Sequence, residues 1–407
     1  MPYERHFTVG ERIRYYRERR LLSQRNLAEL VGRSENWIYK VEHGLLPVDR
    51  ISVLWDLAQV LGVRDLSDLT GGVLSGAVDG SDAQHAAVPA IRRALSMPSS
   101  LLANGMGSET SEKFADAVAK AWEVYETQRE NRYSDVGELL PGLLGWGNAL
   151  LRDVDATSER PVIQDMISLY GLFQIWLRRL GEPALARIAA DRGLALADSV
   201  GDPGLLAAAA WNLSCVLTSA GDVRDSVELA REMIANCAPD EDARVEHLSA
   251  YGALHLQGAV AAVRTSQDTV AWDLYRGAER VAERIGTDRN DWHTCFGPGN
   301  VAMHSVHLAA EEGNSSEAMR LADSIPLSDK TPLERRTRYL IEVMNCSRAQ
   351  RDDYATVHML GRLKAESPEE IVYSPLVREA VADLLKREKP LFKMELRAVA
   401  RHIGMSA

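Results

Sequence analysis

Cysteine is scarce in this chain of 407 residues: Cys215, Cys237, Cys295 and Cys346 are the only four, and no C-x-x-C pair occurs among them. That spacing offers neither a disulfide framework nor a thiolate zinc site, so reduced thiols in a cytoplasmic protein are expected. Runs of about 18 apolar residues are missing, and Met1-Pro2-Tyr3-Glu4-Arg5-His6 lacks the apolar core of a signal peptide, so no membrane partner is expected. Alternating β-branched strands are missing as well. No G-x-x-x-x-G-K-[ST], no convincing G-x-S-x-G and no paired-carboxylate constellation occurs, and His304 and His307 lack the acidic residue of an H-E-x-x-H pattern. These absences argue against an enzyme or NTPase, and neither a cofactor nor a metal is expected.

What is present is a soluble-protein composition, 46% hydrophobic and 26% charged, which is enough apolar residue to fold. The length suggests two or three packing units rather than one core. The net charge of −11 seems to disfavour a nucleic-acid partner, but the charge is unevenly placed. Residues 1 to 50 carry ten basic against seven acidic residues, whereas 71 to 407 carry 36 against 48. Between them, Thr70-Gly71-Gly72 to Asp79-Gly80-Ser81-Asp82 reads as a flexible connector. The division expected is a head at 1–70, a linker with a connecting helix at 71–110, and a helical array at 111–407.

In the array, helical periodicity is interrupted at similar turns: Leu180-Gly181-Glu182-Pro183, Ala220-Gly221-Asp222, Ser266-Gln267-Asp268, Glu312-Gly313-Asn314 and Gln350-Arg351-Asp352. Small residues follow, as in Ser226-x-x-x-Ala230, Ala318-x-x-x-Ala322, and Ala271 with Tyr275. Helix pairs that cannot bury their apolar stripes alone should stack into an α-solenoid. Tyr133-Ser134 and Leu139-Leu140-Pro141 punctuate a further pair at 111–151, and helices near 376–386 and 391–403 close the array. The arrangement resembles tetratricopeptide (TPR) repeats, best at Ala208 to Ala230.

In the head, Thr8, Ser23 and Ser34 are suited to cap three short helices, Gly32 and Gly44 to end two of them, and Pro47 precedes a fourth around Ile51 to Leu61, with a last turn at 66–69. Ile13, Leu27, Leu30, Val31, Ile38, Val41, Leu54, Leu57 and Leu61 form the expected core. Gly32-Arg33-Ser34 is the tight connection of a helix-turn-helix. The run Leu22-Ser23-Gln24-x-x-Leu27-Ala28, Gly32-x-Ser34-x-x-x-Ile38, Glu42-x-Gly44, Pro47 and Leu54-x-x-Leu57-Ala58-x-x-Leu61-Gly62-Val63 resembles the XRE family of phage-repressor-like DNA-binding domains, over residues 9 to 69. The fold expected is therefore all-α, a five-helix lambda-repressor-like head followed by a TPR-like α-solenoid.

The resemblance implies that Gln24 approaches a phosphate at a helix N-terminus, and that Glu35, Asn36, Tyr39 and Lys40 face base edges or nearby phosphates. Arg33 and Arg50 are candidates for phosphate contact, and Ser34 belongs to the same turn. Glu35 either accepts from a cytosine amino group or serves only the helix dipole. Trp37 either packs sugars or shields the turn. The resemblance also implies an internal Arg17–Glu42 ion pair. A +3 head meets DNA despite an acidic body because charge acts over about 8 Å at physiological salt. Two heads in a homodimer would suit a palindromic operator.

Aligned by their turns, Asn212, Gln257 and His304 occupy equivalent first-helix positions to within one residue. Such amides either clamp a peptide, as in the RRNPP peptide receptors this architecture resembles, or bond neighbouring helices. Gly297-Pro298-Gly299 should break a helix, leaving Trp292, Phe296, Asn300 and His304 around a pocket for a peptide or small-molecule effector, or else marking a bend between stacked pairs. The function expected is a cytoplasmic transcriptional regulator, similar to ones common in actinobacteria, with a sensing and dimerising array. The alternative is a DNA-tethered scaffold whose array binds a protein partner.

Overall fold

The computed structural model describes residues 8–20, 22–46, 48, 51–61, 85–97, 110–153, 159–265, 267–325 and 331–405. The chain divides into two compact units, Met1–Gln84 and His85–Ala407. Both are helical; among the described residues the only β pairing is an isolated bridge between Arg289 and Phe296.

In the first unit, four helices are described: α1 (Val9–Arg19), α2 (Gln24–Leu30), α3 (Glu35–Glu42) and α4 (Ile51–Leu61). The turn expected at 66–69 lies outside the described residues. Thr8 and Glu11 form a reciprocal capping box at the start of α1. Ser23 Oγ accepts from Asn26 N at 3.0 Å, and Ser34 Oγ accepts from Trp37 N at 3.2 Å. Gly32 and Gly44 take φ of 63° and 69°, the left-handed geometry that glycine enters without steric cost. Ile13, Leu27, Ile38, Val41, Leu54, Leu57 and Leu61 are buried. Leu30 is not: it is 60% exposed. The core-facing stripe of α2 follows Leu27 and Ala28, with the expected core residue Val31 only half-buried just beyond the helix, and Leu30 lies about 100° round the helix from its centre.

Arg17 and Glu42 form the buried pair expected, with Nε to Oε1 at 2.5 Å and Nη2 to Oε2 at 2.9 Å. Arg17 Nη1 also donates to Leu22 O at 2.8 Å, fixing the turn before α2 to both α1 and α3. Gly10 brings α1 against α3 so closely that a Cβ there would lie 2.1 Å from Val41 O.

The second unit is the helical array. Its helix Val88–Ser96 packs into the array core through Val88, Ile91, Ala94 and Leu95. Five helix pairs flank the five turns read from the sequence, beginning with Glu159–Arg179 and Pro183–Val200 and ending with Leu333–Ala349 and Asp353–Glu366. Gly181, Gly221 and Gly313 are left-handed at three of these turns, and Arg351 takes the same conformation, φ 59°, at the fifth. Small residues let the helices approach: Ser226, Ala230, Ala271 and Ala318 are buried. Ser226 Oγ lies 2.7 Å from Ser214 Oγ and 2.9 Å from Thr218 Oγ1, so the buried hydroxyls satisfy one another. Pro203–Ala220 is the one described helix long and apolar enough to cross a membrane, and 61% of it is buried inside the array.

Pro141 does not end a helix; it sits inside Arg132–Asp153. The carbonyl a proline crowds belongs to the residue four positions earlier, here Gly137, whose lack of a side chain is already required by Ala87 and Trp176. Gly297-Pro298-Gly299 does not kink a helix either. Pro298 begins the helix Pro298–Glu311, after an irregular segment that contains the short turn Asp291–His293. Asp288 Oδ1 accepts from Gly299 N at 2.8 Å and satisfies that start.

The array also makes contacts that a simple stack of neighbours would not. Tyr133 O–H donates to Glu370 Oε2 at 2.6 Å, Tyr133 N donates to Glu369 Oε2 at 2.7 Å and Ser134 Oγ donates to Glu369 Oε1 at 2.6 Å. Arg132 pairs with the same Glu370. Thus the helix Pro368–Tyr373, near the end of the array, docks onto the beginning of Arg132–Asp153.

Candidate nucleic-acid interface and inner cavity

Helix α3 divides cleanly into two faces. Ile38, Val41 and Glu42 are buried, whereas Glu35, Asn36, Tyr39 and Lys40 are exposed together. The exposed set offers an amide, an ammonium, a phenol and a carboxylate on a helix held at a fixed angle by the Gly32 turn. Arg33 and Ser34 are exposed at the N-terminal end of α3. The Arg33 guanidinium lies 5.4 Å above the Trp37 ring, which positions it beside the helix start. Tyr39 is steadied from its C-terminal side by His43, whose ring centroid is 4.1 Å away. Gln24 is less free than the resemblance implies: its Nε2 donates to Glu42 Oε2 at 2.7 Å, leaving one amide hydrogen for any phosphate. Arg50 lies outside the described residues.

In the array, the amides at equivalent positions are occupied. Asn212 Oδ1 accepts from Gln174 Nε2 at 2.7 Å, and Gln257 donates to Thr218 Oγ1 at 2.9 Å while accepting from Cys215 Sγ at 3.3 Å. These are bonds between neighbouring helices, so the two amides do not form a free clamp. Phe296 does not line a pocket: it is fully buried over Gly252, where a Cβ would meet the ring at 2.1 Å. Trp292 is half-buried and packs beside Gly204, Leu205 and Leu206 instead of bordering a cavity.

The backbone around Trp292 is unusual. Trp292, His293 and Cys295 have φ of 46°, 62° and 55°, the left-handed region that side chains disfavour. Long-range bonds hold this turn in place. Glu126 Oε1 accepts from Asn290 Nδ2 at 2.8 Å and lies 2.8 Å from His293 Nδ1, while Asn290 Oδ1 accepts from Cys295 N at 3.1 Å.

Behind the turn is a cavity of about 110 Å³ that opens to solvent on one side. Asn300, His304 and Gln257 line it. So do five arginines, Arg178, Arg179, Arg264, Arg335 and Arg338, with only two carboxylates, Glu334 and Glu342. Ile175, Trp211, Ala253, Leu256 and Val260 supply an apolar wall. Sequence reasoning missed the arginines. A signal was present in Arg178-Arg179 directly after the apolar run Ile175-Trp176-Leu177, and in Arg335 and Arg338 inside a helix with buried residues on several sides.

The cavity's electrostatics follow from crowding. Burial, and then the charge of Arg335, push the His304 imidazole well below its ordinary range, so it is neutral. Burial and the neighbouring Arg179 lower Arg178, and the same two causes bring Arg338 down to about 10. Burial alone would raise Glu334, but Arg179 and Arg178 more than reverse this and hold it at about 2. Glu342 is likewise held low by His307 and Arg338 against the opposing effect of burial.

A family model described as a helix-turn-helix domain matches residues 8–69. No curated protein matches the chain. Among solved structures, the chain is similar to Bacillus thuringiensis PlcR in complex with the peptide PapR7 and DNA, at 13% identity and a TM-score of 0.24, over 69% of this chain and 95% of that one. At that TM-score the similarity bears on neither the ligand nor the mechanism of this chain.

Proposed function

We propose that the protein is a sequence-specific, DNA-binding transcriptional regulator of the XRE type, whose TPR-like array senses an effector in its inner cavity and pairs two chains. The observation that carries the reading is the shared exposure of Glu35, Asn36, Tyr39 and Lys40 on α3, within a segment matched by a helix-turn-helix family model. Asn36 has the chemistry to pair with adenine and Lys40 to donate to guanine. Arg33, beside the start of α3, is the phosphate contact that sets the helix's depth in the major groove.

The array contributes binding rather than chemistry. Its cavity has Asn300 and His304 on one helix, and arginines reaching it from Glu159–Arg179 and Leu333–Ala349. A ligand placed there touches helices far apart in sequence. Any difference in affinity between two arrangements of the array then becomes a bias on the head it is joined to.

The test is selection of bound DNA from a random pool with the full chain, repeated with Asn36→Ala and Lys40→Ala. Altered base preference at single positions is the expected result, at roughly 1–3 kcal/mol for each good pair lost. Failure of the unaltered protein to enrich any sequence at low salt would sink the reading. Sedimentation of the protein with its selected duplex measures whether two chains bind one site.

A further inference from the structure

The inner cavity carries more positive charge than its carboxylates match. Arg179 is held by Glu334, and Arg264 by Glu311 at 2.8 Å. Arg338 Nε reaches Glu342 Oε1 at 3.3 Å, but that oxygen is shared with His307 Nδ1 at 3.1 Å. Arg178 and Arg335 are left over. Among the described residues neither has a carboxylate within ion-pair distance, and the Nε of each is buried without a hydrogen-bond partner.

Among the described residues, the polar contact that Arg335 makes does not neutralise it. Its Nη2 lies 3.2 Å from His304 Nδ1, a nitrogen that is also 2.9 Å from Asn300 O. A ring N–H that donates to that carbonyl cannot also accept from a guanidinium. Asn300 Oδ1, in the same cavity, is buried and has no donor among the described residues. Half-buried cations with no carboxylate in ion-pair contact and a buried acceptor without a donor are costly when left unmatched, and a ligand of complementary chemistry satisfies them. The apolar wall of Ile175, Leu256 and Val260 faces the same space.

We propose that this cavity binds an organic anion with an apolar body. Its carboxylate or phosphoryl oxygens are taken by Arg178 and Arg335, its hydrocarbon part lies on Ile175, Leu256 and Val260, and a hydroxyl or amide N–H beside the acid donates to Asn300 Oδ1. The assignment rests on the effector reading above and gives that effector a chemical class. Guanidinium forks suit oxyanions because two parallel N–H donors match two oxygens. The oxyanion belongs either to a free organic acid or to the C-terminus of an apolar peptide.

The experiment titrates the full chain calorimetrically with octanoate, octyl phosphate, 1-octanol, and an apolar tripeptide as the free acid and as its C-terminal amide. Binding of an anionic probe, with its uncharged counterpart weaker by roughly ten- to a hundred-fold, is expected. Octanoate or octyl phosphate binding identifies the free acid as the source, and binding of the tripeptide acid alone identifies the peptide. Arg178→Gln and Arg335→Gln should each abolish the discrimination while raising the melting temperature of the unliganded protein, since each removes a half-buried charge that has no ion-pair partner among the described residues. A lowered melting temperature in both variants would show the arginines to be structural and overturn the proposal. Equal binding of charged and neutral probes would overturn it while leaving the cavity as an effector site. If no probe binds, the anion assignment falls, and the DNA selection still decides the function of the head independently.

Discussion

Trp122 and His293 stack face to face, their ring centroids 3.6 Å apart and their planes 4° from parallel. Trp122 belongs to the helix Ser111–Thr127 and His293 to the turn ahead of Pro298–Glu311, so the contact spans the array instead of joining neighbours. Together with the Glu126 bonds it pins a strained turn whose His293 lines the inner cavity.

The second clasp, between Arg132 and Glu370, gives the first prediction. Arg132 is fully buried, with its guanidinium 4.8 Å over the Tyr133 ring and 5.2 Å over Tyr125. Glu370→Ala leaves that charge unpaired and should cost about 3–5 kcal/mol. Urea unfolding followed by circular dichroism should show the loss as one shifted transition. A variant with unaltered midpoint would mean that the clasp contributes nothing.

Acid should weaken the array through Glu334. Its carboxyl is depressed from 4.5 to about 2 in the folded protein, so its contribution is complete above the unfolded value and is lost as pH falls from about 4.5 towards 2. Thermal melts between pH 3 and pH 6 should steepen below about 4.5. In Glu334→Gln the curve should start lower and lose that part of its slope.

Gly10 tests the packing of the head. Gly10→Ala puts a Cβ 2.1 Å from the Val41 carbonyl, an atom of the backbone that cannot swing away. The head should lose roughly 1–3 kcal/mol, or more if α1 is displaced from α3. Proteolysis at the head and loss of DNA retention should appear before any change in the array's melting.

Arg351 offers a gain. It holds φ 59° where equivalent turns have Gly181, Gly221 and Gly313. Arg351→Gly relieves left-handed strain worth about 1–2 kcal/mol, offset by roughly 0.5–1 kcal/mol of added freedom in the unfolded chain. A small rise in melting temperature is the expected outcome, and a clear fall would show that the arginine side chain contributes more than its backbone costs.

The parts of this architecture that depend on local chemistry were legible in the sequence. Capping by Thr8, Ser23 and Ser34, the turn at Gly32 and the exposed residues of α3 need only neighbours within a few positions, and the structure places them as read. The repeat turns were legible for the same reason. The cavity was not. The Gly-Pro-Gly stretch after Phe296 leaves open a pocket or a bend between stacked pairs, and it is Gly252, distant in sequence, that leaves the space in which the ring is buried. For Asn212 and Gln257 the sequence leaves open a peptide clamp or bonds between neighbouring helices, and the partners that decide for the latter, Gln174 and Thr218, become visible only when helices stack. The unpaired arginines were missed because a charge on a helix reads as solvated until the opposite wall is known.

Arg132 and Glu370 close the array across most of its length, and this limits how such a chain can vary. An open stack tolerates the gain or loss of a whole unit, because each unit leans only on the next. Here, inserting or deleting a unit would pull the two latch residues out of register. The number of repeats is thereby constrained by this buried pairing together with the bonds of Tyr133 and Ser134 to Glu369 and Glu370 beside it.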